Sequence, residues 1–232
     1  FLGGLVGYES SVFSGDERPE TLDAQSIMAA LSLTREFGAF EISAVAGGGH
    51  TFGTSRRTIS GFGVTARADQ QSDLLCGRLK GADQLSAGET AYIEPSLAVD
   101  VFGLHQAGYR ESGAGALDLI VEGETKVLAG LTPALEIGTR LDVVPEVAVR
   151  LFAKGGLTFL SDDEFTSDAR FSGLSSMDTF QTTTPIAGTL ATVSVGLDIQ
   201  KGDMFELRLN YDGAFADDVQ SHGGTLRLGY RF

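Results

Sequence analysis

The chain has 232 residues, enough for one β domain, with 42% hydrophobic residues and a formal net charge of −14. An acidic chain repels nucleic-acid phosphates, which excludes that partner. The single cysteine, Cys76, excludes an internal disulfide, and no run approaches the ~20 apolar residues of a membrane-spanning helix. Hydropathy by itself reads as soluble, but a membrane β-barrel spreads its apolar residues over alternate positions and gives only a weak signal per segment. Glycine is abundant (31) and proline scarce (5), which suits long strands better than helices. The chain starts without Met and without a signal peptide, so it is expected to be part of a longer precursor whose targeting sequence lies upstream.

In chain order, strands are predicted over about 1–8, 25–37, 40–53, 64–80 and 91–105, where the alternation is irregular but readable. The second half is nearly all strand, with segments at about 116–141, 144–154, 191–200, 204–214 and 224–232. Leu117, Leu119 and Val121 open an apolar phase that continues through Val127, Leu131, Leu135, Ile137 and Leu141, opposite Glu122, Glu124, Lys126, Glu136 and Arg140. Val147, Val149 and Leu151 alternate with Glu146, Ala148 and Arg150. Val193, Val195, Leu197 and Ile199 alternate with Ser194, Gly196, Asp198 and Gln200, and Phe205, Leu207, Leu209 and Tyr211 with Glu206, Arg208, Asn210 and Asp212. The chain ends with Leu226, Leu228, Tyr230 and Phe232 against Arg227, Gly229 and Arg231.

No residue of this apolar phase is charged, although 21% of the chain is. A charge facing lipid at the bilayer midplane costs roughly 2–4 kcal/mol for Lys or Arg, which accounts for one face free of charge. A soluble sandwich with its apolar face inward gives the same alternation. Strand length and connections separate the two. Several segments reach the ~10 residues that cross the hydrocarbon at a 45° tilt, whereas soluble strands average about 5–6. The connections Gly38-Ala39, 81–90, Asp142-Val143 and Lys201-Gly202-Asp203 are mostly short, and they alternate with longer ones at 9–24, 54–63, 106–115, 155–190 and 215–223. Short turns on one side and long loops on the other are the bacterial outer-membrane pattern, with the short side periplasmic. The last strand then runs to the periplasm. Phe37, Phe40, Phe205, Tyr230 and Phe232 lie beside the short turns, as an aromatic girdle would, and Arg35 sits where a long side chain can snorkel. The expected fold is an all-β antiparallel transmembrane barrel of the outer-membrane type.

The residues Tyr92–Leu97, followed by His105–Gly115 with Tyr109, Glu111 and Gly113 in a Gly-aromatic-x-Glu-x-Gly loop, resemble the autotransporter β-domain. Ser55-Arg56-Arg57-Thr58-Ile59 resembles its Arg-bearing segment between two middle strands. The ending, with Leu228, Tyr230 and Phe232, resembles its terminal assembly signal. The resemblance spans essentially residues 1–232 as one domain. It implies a monomeric twelve-stranded barrel in the outer membrane of a Gram-negative bacterium, with a polar lumen and an N-terminal linker helix inside. It also implies export of an upstream passenger to the cell surface, with outer-membrane lipid and the barrel-assembly machinery as partners and no cofactor. Residues 1–8 resemble the third strand of that barrel, so the chain either lacks two strands and the linker helix or closes on ten.

Glu122, Glu124, Glu136, Arg140, Glu146, Arg150, Arg208, Arg227 and Arg231 are expected to face the lumen. There, opposite charges brace the barrel singly and form a hydrophilic path together. The Asp162-Asp163-Glu164 and Asp168 carboxylates lack the D-x-[DN]-x-[DN]-G calcium pattern and read as a solvated loop. A porin or adhesin barrel without a passenger is the alternative, distinguished by what precedes residue 1 in the gene. An outer-membrane hydrolase using Asp217, Asp218 and His222, His105, or His50 near Ser55 is the enzymatic alternative; no G-x-S-x-G is present.

Overall fold

Strict alternation over long segments leaves the backbone one efficient way to satisfy its N–H and C=O groups, a continuous antiparallel ladder. The structure, a computed structural model, describes residues 1–14, 20–144, 146–173, 179–202, 204–217 and 219–230. The main sheet contains β1 (Leu2–Ser14), β2 (Glu20–Phe37), β3 (Phe40–Ile59), β4 (Val64–Asp83), β5 (Leu85–Ser86) and β6 (Ala91–Gln106). After β7 (Tyr109–Arg110) and β8 (Leu119–Val121) come β9 (Glu124–Val144) and β10 (Val147–Leu160). β11 (Glu164–Phe171) and β12 (Phe180–Pro185) precede β13 (Thr189–Lys201), β14 (Phe205–Ala216) and β15 (Val219–Tyr230). The ladder runs β1-β2-β3-β4-β6-β9-β10-β13-β14-β15, with the short β5 on β6. A separate four-stranded sheet, β12-β11-β8-β7, stands beyond the ends of β4 and β9. Among the described residues β1 pairs only with β2 and β15 only with β14, so these strands form an open half-barrel and do not close on one another. Among them, no helix is long and apolar enough to cross a membrane.

Each of the ten predicted strands corresponds to one strand of the ladder, with two corrections. The segment predicted as one strand over 116–141 is divided: residues 115–117 form a 3₁₀ turn, β8 joins the small sheet, and only β9 belongs to the ladder. The predicted long loops are largely strand. β3 and β4 stay paired up to Ile59↔Val64, and β14 and β15 up to Ala216↔Val219. Along Thr54–Thr58 both faces are polar, so hydropathy loses the two-residue period there while the hydrogen-bond ladder continues.

The two faces of the sheet differ. Residues directly opposite on paired strands share a face. Tracing the register therefore assigns Arg78, Asp100, Glu124, Glu136, Arg140, Arg150, Asp198, Arg208 and Arg227 to one side. The other side carries Leu31, Leu75, Leu79, Leu97, Val99, Leu131, Leu135, Ile137, Val195, Leu209 and Leu228. The charged side is concave: one cavity on it is lined from β4, β6, β9, β10, β13, β14 and β15. The best-buried ladder side chains (Ala24, Ala66, Ala68, Ala82, Tyr92, Ala98, Asp100 and Glu136) all lie on this concave side. Leu75 and Leu228, on the convex side, are 71% and 66% exposed. A water-soluble protein does not expose a continuous apolar face of this kind. On β4 the convex apolar run is bounded by Asp83 and Asp73, with Gly81, Leu79, Gly77 and Leu75 between them. That distance is about 33 Å along the strand and roughly 23 Å along the membrane normal at a 45° tilt, close to the ~25 Å apolar band of outer-membrane barrels.

One substitution tests this disposition. Leu135 faces outward in the middle of β9, opposite Pro95 and Gly155. Leu135→Arg is expected to destabilise the chain by about 2–4 kcal/mol in lipid vesicles. Unfolding in vesicles measures it; a loss within ~0.5 kcal/mol, typical of a water-exposed surface, would contradict lipid contact.

Candidate functional site

Two constellations carry the charge of the concave side and its rim. The first lies near the short turns. The register aligns Tyr92 (β6), Gly138 (β9), Phe152 (β10), Gly196 (β13) and Asn210 (β14) in one row across five strands. The glycines are required by the rings beside them. A Cβ on Gly138 would fall 2.4 Å from the Tyr92 hydroxyl oxygen, and one on Gly196 would fall 2.3 Å from Phe152 ring carbons. Each ring lies across the strand next to it instead of projecting into the concave space.

The Tyr92 hydroxyl donates to Glu136 Oε1 at 2.6 Å and accepts from Arg150 Nε at 2.6 Å. Arg150 also bonds Glu136, and it donates to Asp198 Oδ2 at 3.0 Å. Its guanidinium stacks 4.4 Å from the Phe152 ring centre, and Arg140 lies 5.5 Å from that of Tyr92. Two carboxylates, the Tyr92 hydroxyl and the Phe152 ring thus hold one guanidinium. A planar, always-charged fork with several donors suits this site; an ammonium does not. Above this row, Arg78 forms a bidentate pair with Asp100, 2.7 and 3.0 Å, and Lys80 reaches Glu94 at 3.4 Å.

The second constellation fastens the small sheet to the rim. Arg57, near the end of β3, makes a bidentate pair with Glu111 and donates to the Leu117 carbonyl at 3.0 Å. Glu111 is 6% exposed and also accepts from the Leu119 amide at 2.8 Å. Arg67 and Ser112 exchange two backbone hydrogen bonds of 2.9 Å, tying the segment to β4. Gly113 follows with φ +109, and a Cβ there would meet the Thr65 carbonyl at 2.7 Å. Glycine is therefore demanded twice, by dihedral and by space. Tyr109 begins the segment; burial first, then the Glu111 and Glu20 carboxylates, push its phenol up from the usual range.

Of the expected lumen set, Glu124, Glu136, Arg140, Arg150, Arg208 and Arg227 project from the concave side, and Arg208 pairs with its strand neighbour Glu206. Two positions are corrected. Glu122 lies between β8 and β9, outside the ladder, 3.9 Å from Arg170 of the small sheet. Glu146 occupies the β9–β10 turn with φ +70. In both cases alternation was carried past the point where pairing stops. Leu228 and Tyr230 face outward on β15, Tyr230 opposite Phe205. Arg231 and Phe232 lie outside the described residues, as does Asp218.

Sequence reasoning did not single out Tyr92, Asp198 or Arg57 as site residues. Tyr92 and Asp198 share the phase of the charged positions, a signal that was present. Nothing local marks Arg57 as the partner of Glu111.

The hydrolase residues are placed apart. His50 faces outward and bonds Asp73 at 2.8 Å, whereas Ser55 is on the concave face and bonds Gln70 at 3.0 Å. His105 bonds Thr125 at 2.9 Å and His222 bonds the Tyr211 hydroxyl at 2.7 Å, both on the convex side. The acidic residues do not form one loop, since Glu164 and Asp168 belong to β11; Asp162, just before it, pairs with Lys126, which holds its carboxyl below the usual range, and accepts from the Asp163 and Glu164 amides. Among the described residues no group of three His, Cys, Asp or Glu is placed to hold a metal ion.

Comparison with known proteins agrees with this architecture. The family model for the autotransporter beta-domain matches residues 1–212. The translocator domain of autotransporter NalP from Neisseria meningitidis superposes with a TM-score of 0.78 at 17% identity, covering 100% of this chain and 75% of that one. The beta domain of the Bordetella autotransporter BrkA is also similar, with a TM-score of 0.46 at 15% identity, covering 100% and 90%. No curated protein matches the sequence. The chain belongs to the autotransporter beta-domain family, β-barrels of the Gram-negative outer membrane.

Proposed function

We propose that the chain is the membrane anchor and translocator for an N-terminal passenger, which it helps export to the cell surface. The observation that carries this reading is the inversion of the sheet, apolar on the convex side and charged on the concave side. The convex side suits lipid, and the concave side suits a hydrated path for a polar polypeptide or linker helix. In this reading Glu124, Glu136, Arg140, Arg150, Arg208 and Arg227 face the lumen, where paired charges keep the path polar and the wall stiff. The Arg57–Glu111 joint holds the small sheet, with Tyr109 and Gly113, at the outward rim.

The connections support the orientation of this reading. The β2–β3 and β13–β14 connections lie on one side, and the long hairpins and small sheet on the other. β15 runs toward the short turns, so the C-terminus is periplasmic, where Leu228, Tyr230 and Phe232 are available to the barrel-assembly machinery by edge pairing. The chain acts as a monomer without a cofactor.

The test uses the full-length protein with its passenger. With the chain intact, the passenger should be cut by protease added to whole cells. Deleting Phe232 should abolish both this accessibility and heat-modifiable barrel, with synthesis unchanged. A passenger retained inside cells that carry a folded barrel would sink the export role, and normal display by the deletion variant would sink the role of Phe232.

A further inference from the structure

The chain contains three histidines, and all three lie on the convex side. On β6 the outward run Ile93, Pro95, Leu97, Val99, Val101 and Gly103 ends at His105. On β15 the run Tyr230, Leu228, Leu226 and Gly224 ends at His222. On β4 it ends at Asp73, which the register places between His50 of β3 and His105 of β6. Each of these ends is on the long-hairpin side. His50, Asp73, His105 and Thr125 form one unbroken cross-strand row. None of the histidines faces the concave side or belongs to either constellation above.

We infer that this histidine belt binds the phosphates of anionic lipid headgroups in the leaflet on the long-hairpin side, and that it does so when protonated. The inference rests on the membrane reading above. The position fits this ligand, because residues bounding the apolar run sit where hydrocarbon gives way to headgroups. The chemistry fits as well, since imidazole is the side chain whose charge changes between about pH 5 and 8.

The surroundings of each ring are specific. His50 faces Ile27 on β2 and Asp73 on β4, with Phe52 beyond it on its own strand. His105 faces Asp73 on β4 and Thr125 on β9. His222 faces Tyr211 and Phe215 on β14, and β15 has no second neighbour among the described residues. Among the described residues, Asp73 is the one charged group facing any of the three rings. Protonation of all three therefore leaves the belt net positive, while deprotonation leaves Asp73 alone and the belt net negative. The belt changes sign, and with it the lipid it prefers.

The test compares the full chain with the triple variant His50→Gln, His105→Gln and His222→Gln, which keeps polarity and size. Both are inserted into phosphatidylcholine vesicles and into vesicles containing phosphatidylglycerol, at pH 5.5 and pH 8. In phosphatidylglycerol vesicles the unfolding temperature of the native chain should be higher at pH 5.5 than at pH 8 by roughly 4–8 °C. Phosphatidylcholine vesicles should give no such shift, nor should inorganic phosphate added to them, and the triple variant should lose it. A shift retained by the triple variant, or absent from the native chain, overturns the belt. A shift produced by inorganic phosphate alone overturns the assignment to lipid. Failure of the native chain to insert into either vesicle overturns the membrane reading and the belt with it, an outcome distinct from insertion without a shift.

Discussion

Replacing Arg57 with Ala is expected to destabilise the chain by about 3–5 kcal/mol and to release residues 109–122 to protease. The guanidinium is the partner that makes burial of the Glu111 carboxylate tolerable. Without it, a 6%-exposed carboxylate keeps, among the described residues, only the Leu119 amide. A buried charge left without its counter-ion carries a cost of this size. Glu111→Ala should cost less, because Arg57 retains the Leu117 carbonyl and, at 22% side-chain exposure, can reach water. The double variant should be no worse than Arg57→Ala alone, since the second change removes the stranded charge. Arg57→Lys should recover only part of the loss, because an ammonium cannot form the bidentate pair. Unfolding in detergent micelles and limited proteolysis measure these differences. If both single variants unfold within ~0.5 kcal/mol of the native chain, the joint is not what holds the small sheet to the rim.

The second large effect is expected at Arg150. Arg150→Met should cost about 3–5 kcal/mol, because it strands Glu136 and Asp198 together and removes the donor to Tyr92. Glu136→Leu should cost about 1–3 kcal/mol, since Arg150 keeps Asp198 and the Tyr92 hydroxyl oxygen. The contrast between the two variants is the diagnostic feature, and equal losses would contradict the central role of the guanidinium. In cells, Glu136→Leu should lower the amount of folded barrel and leave export by the remainder intact. A complete export block with normal amounts of folded barrel would show that Glu136 acts on the passenger and not on the wall.

How much of this was legible beforehand depended on whether the signal was local. The alternation of Val193–Ile199 against Ser194–Gln200 depends only on the two-residue geometry of an extended chain. It located β13, separated its faces and kept charge off one of them. The same holds for β9 after Glu124, for β10 and for β14. Turn positions were equally local, with Gly38 at φ +69 and Gly202 at φ +52 falling in two of the predicted short connections. The Gly-aromatic-x-Glu-x-Gly segment could be recognised, but its purpose could not. Gly113 is explained by the Thr65 carbonyl, far away in sequence. Glu122 and Glu146 show the limit of alternation as a guide. It continues on paper through residues where no neighbouring strand continues the ladder.

The amino-acid order by itself determined the strands and their two unlike faces, because side-chain direction along an extended chain is set one residue at a time. Only the tertiary structure decided which charges meet. Arg57 finds Glu111, and Tyr92, Glu136, Arg150 and Asp198 converge, through the register of strands brought side by side. It also decided that the apolar face is the convex one, since curvature is a property of the assembled sheet. Register and curvature arise from interactions between strands distant in the chain, and no local window contains them.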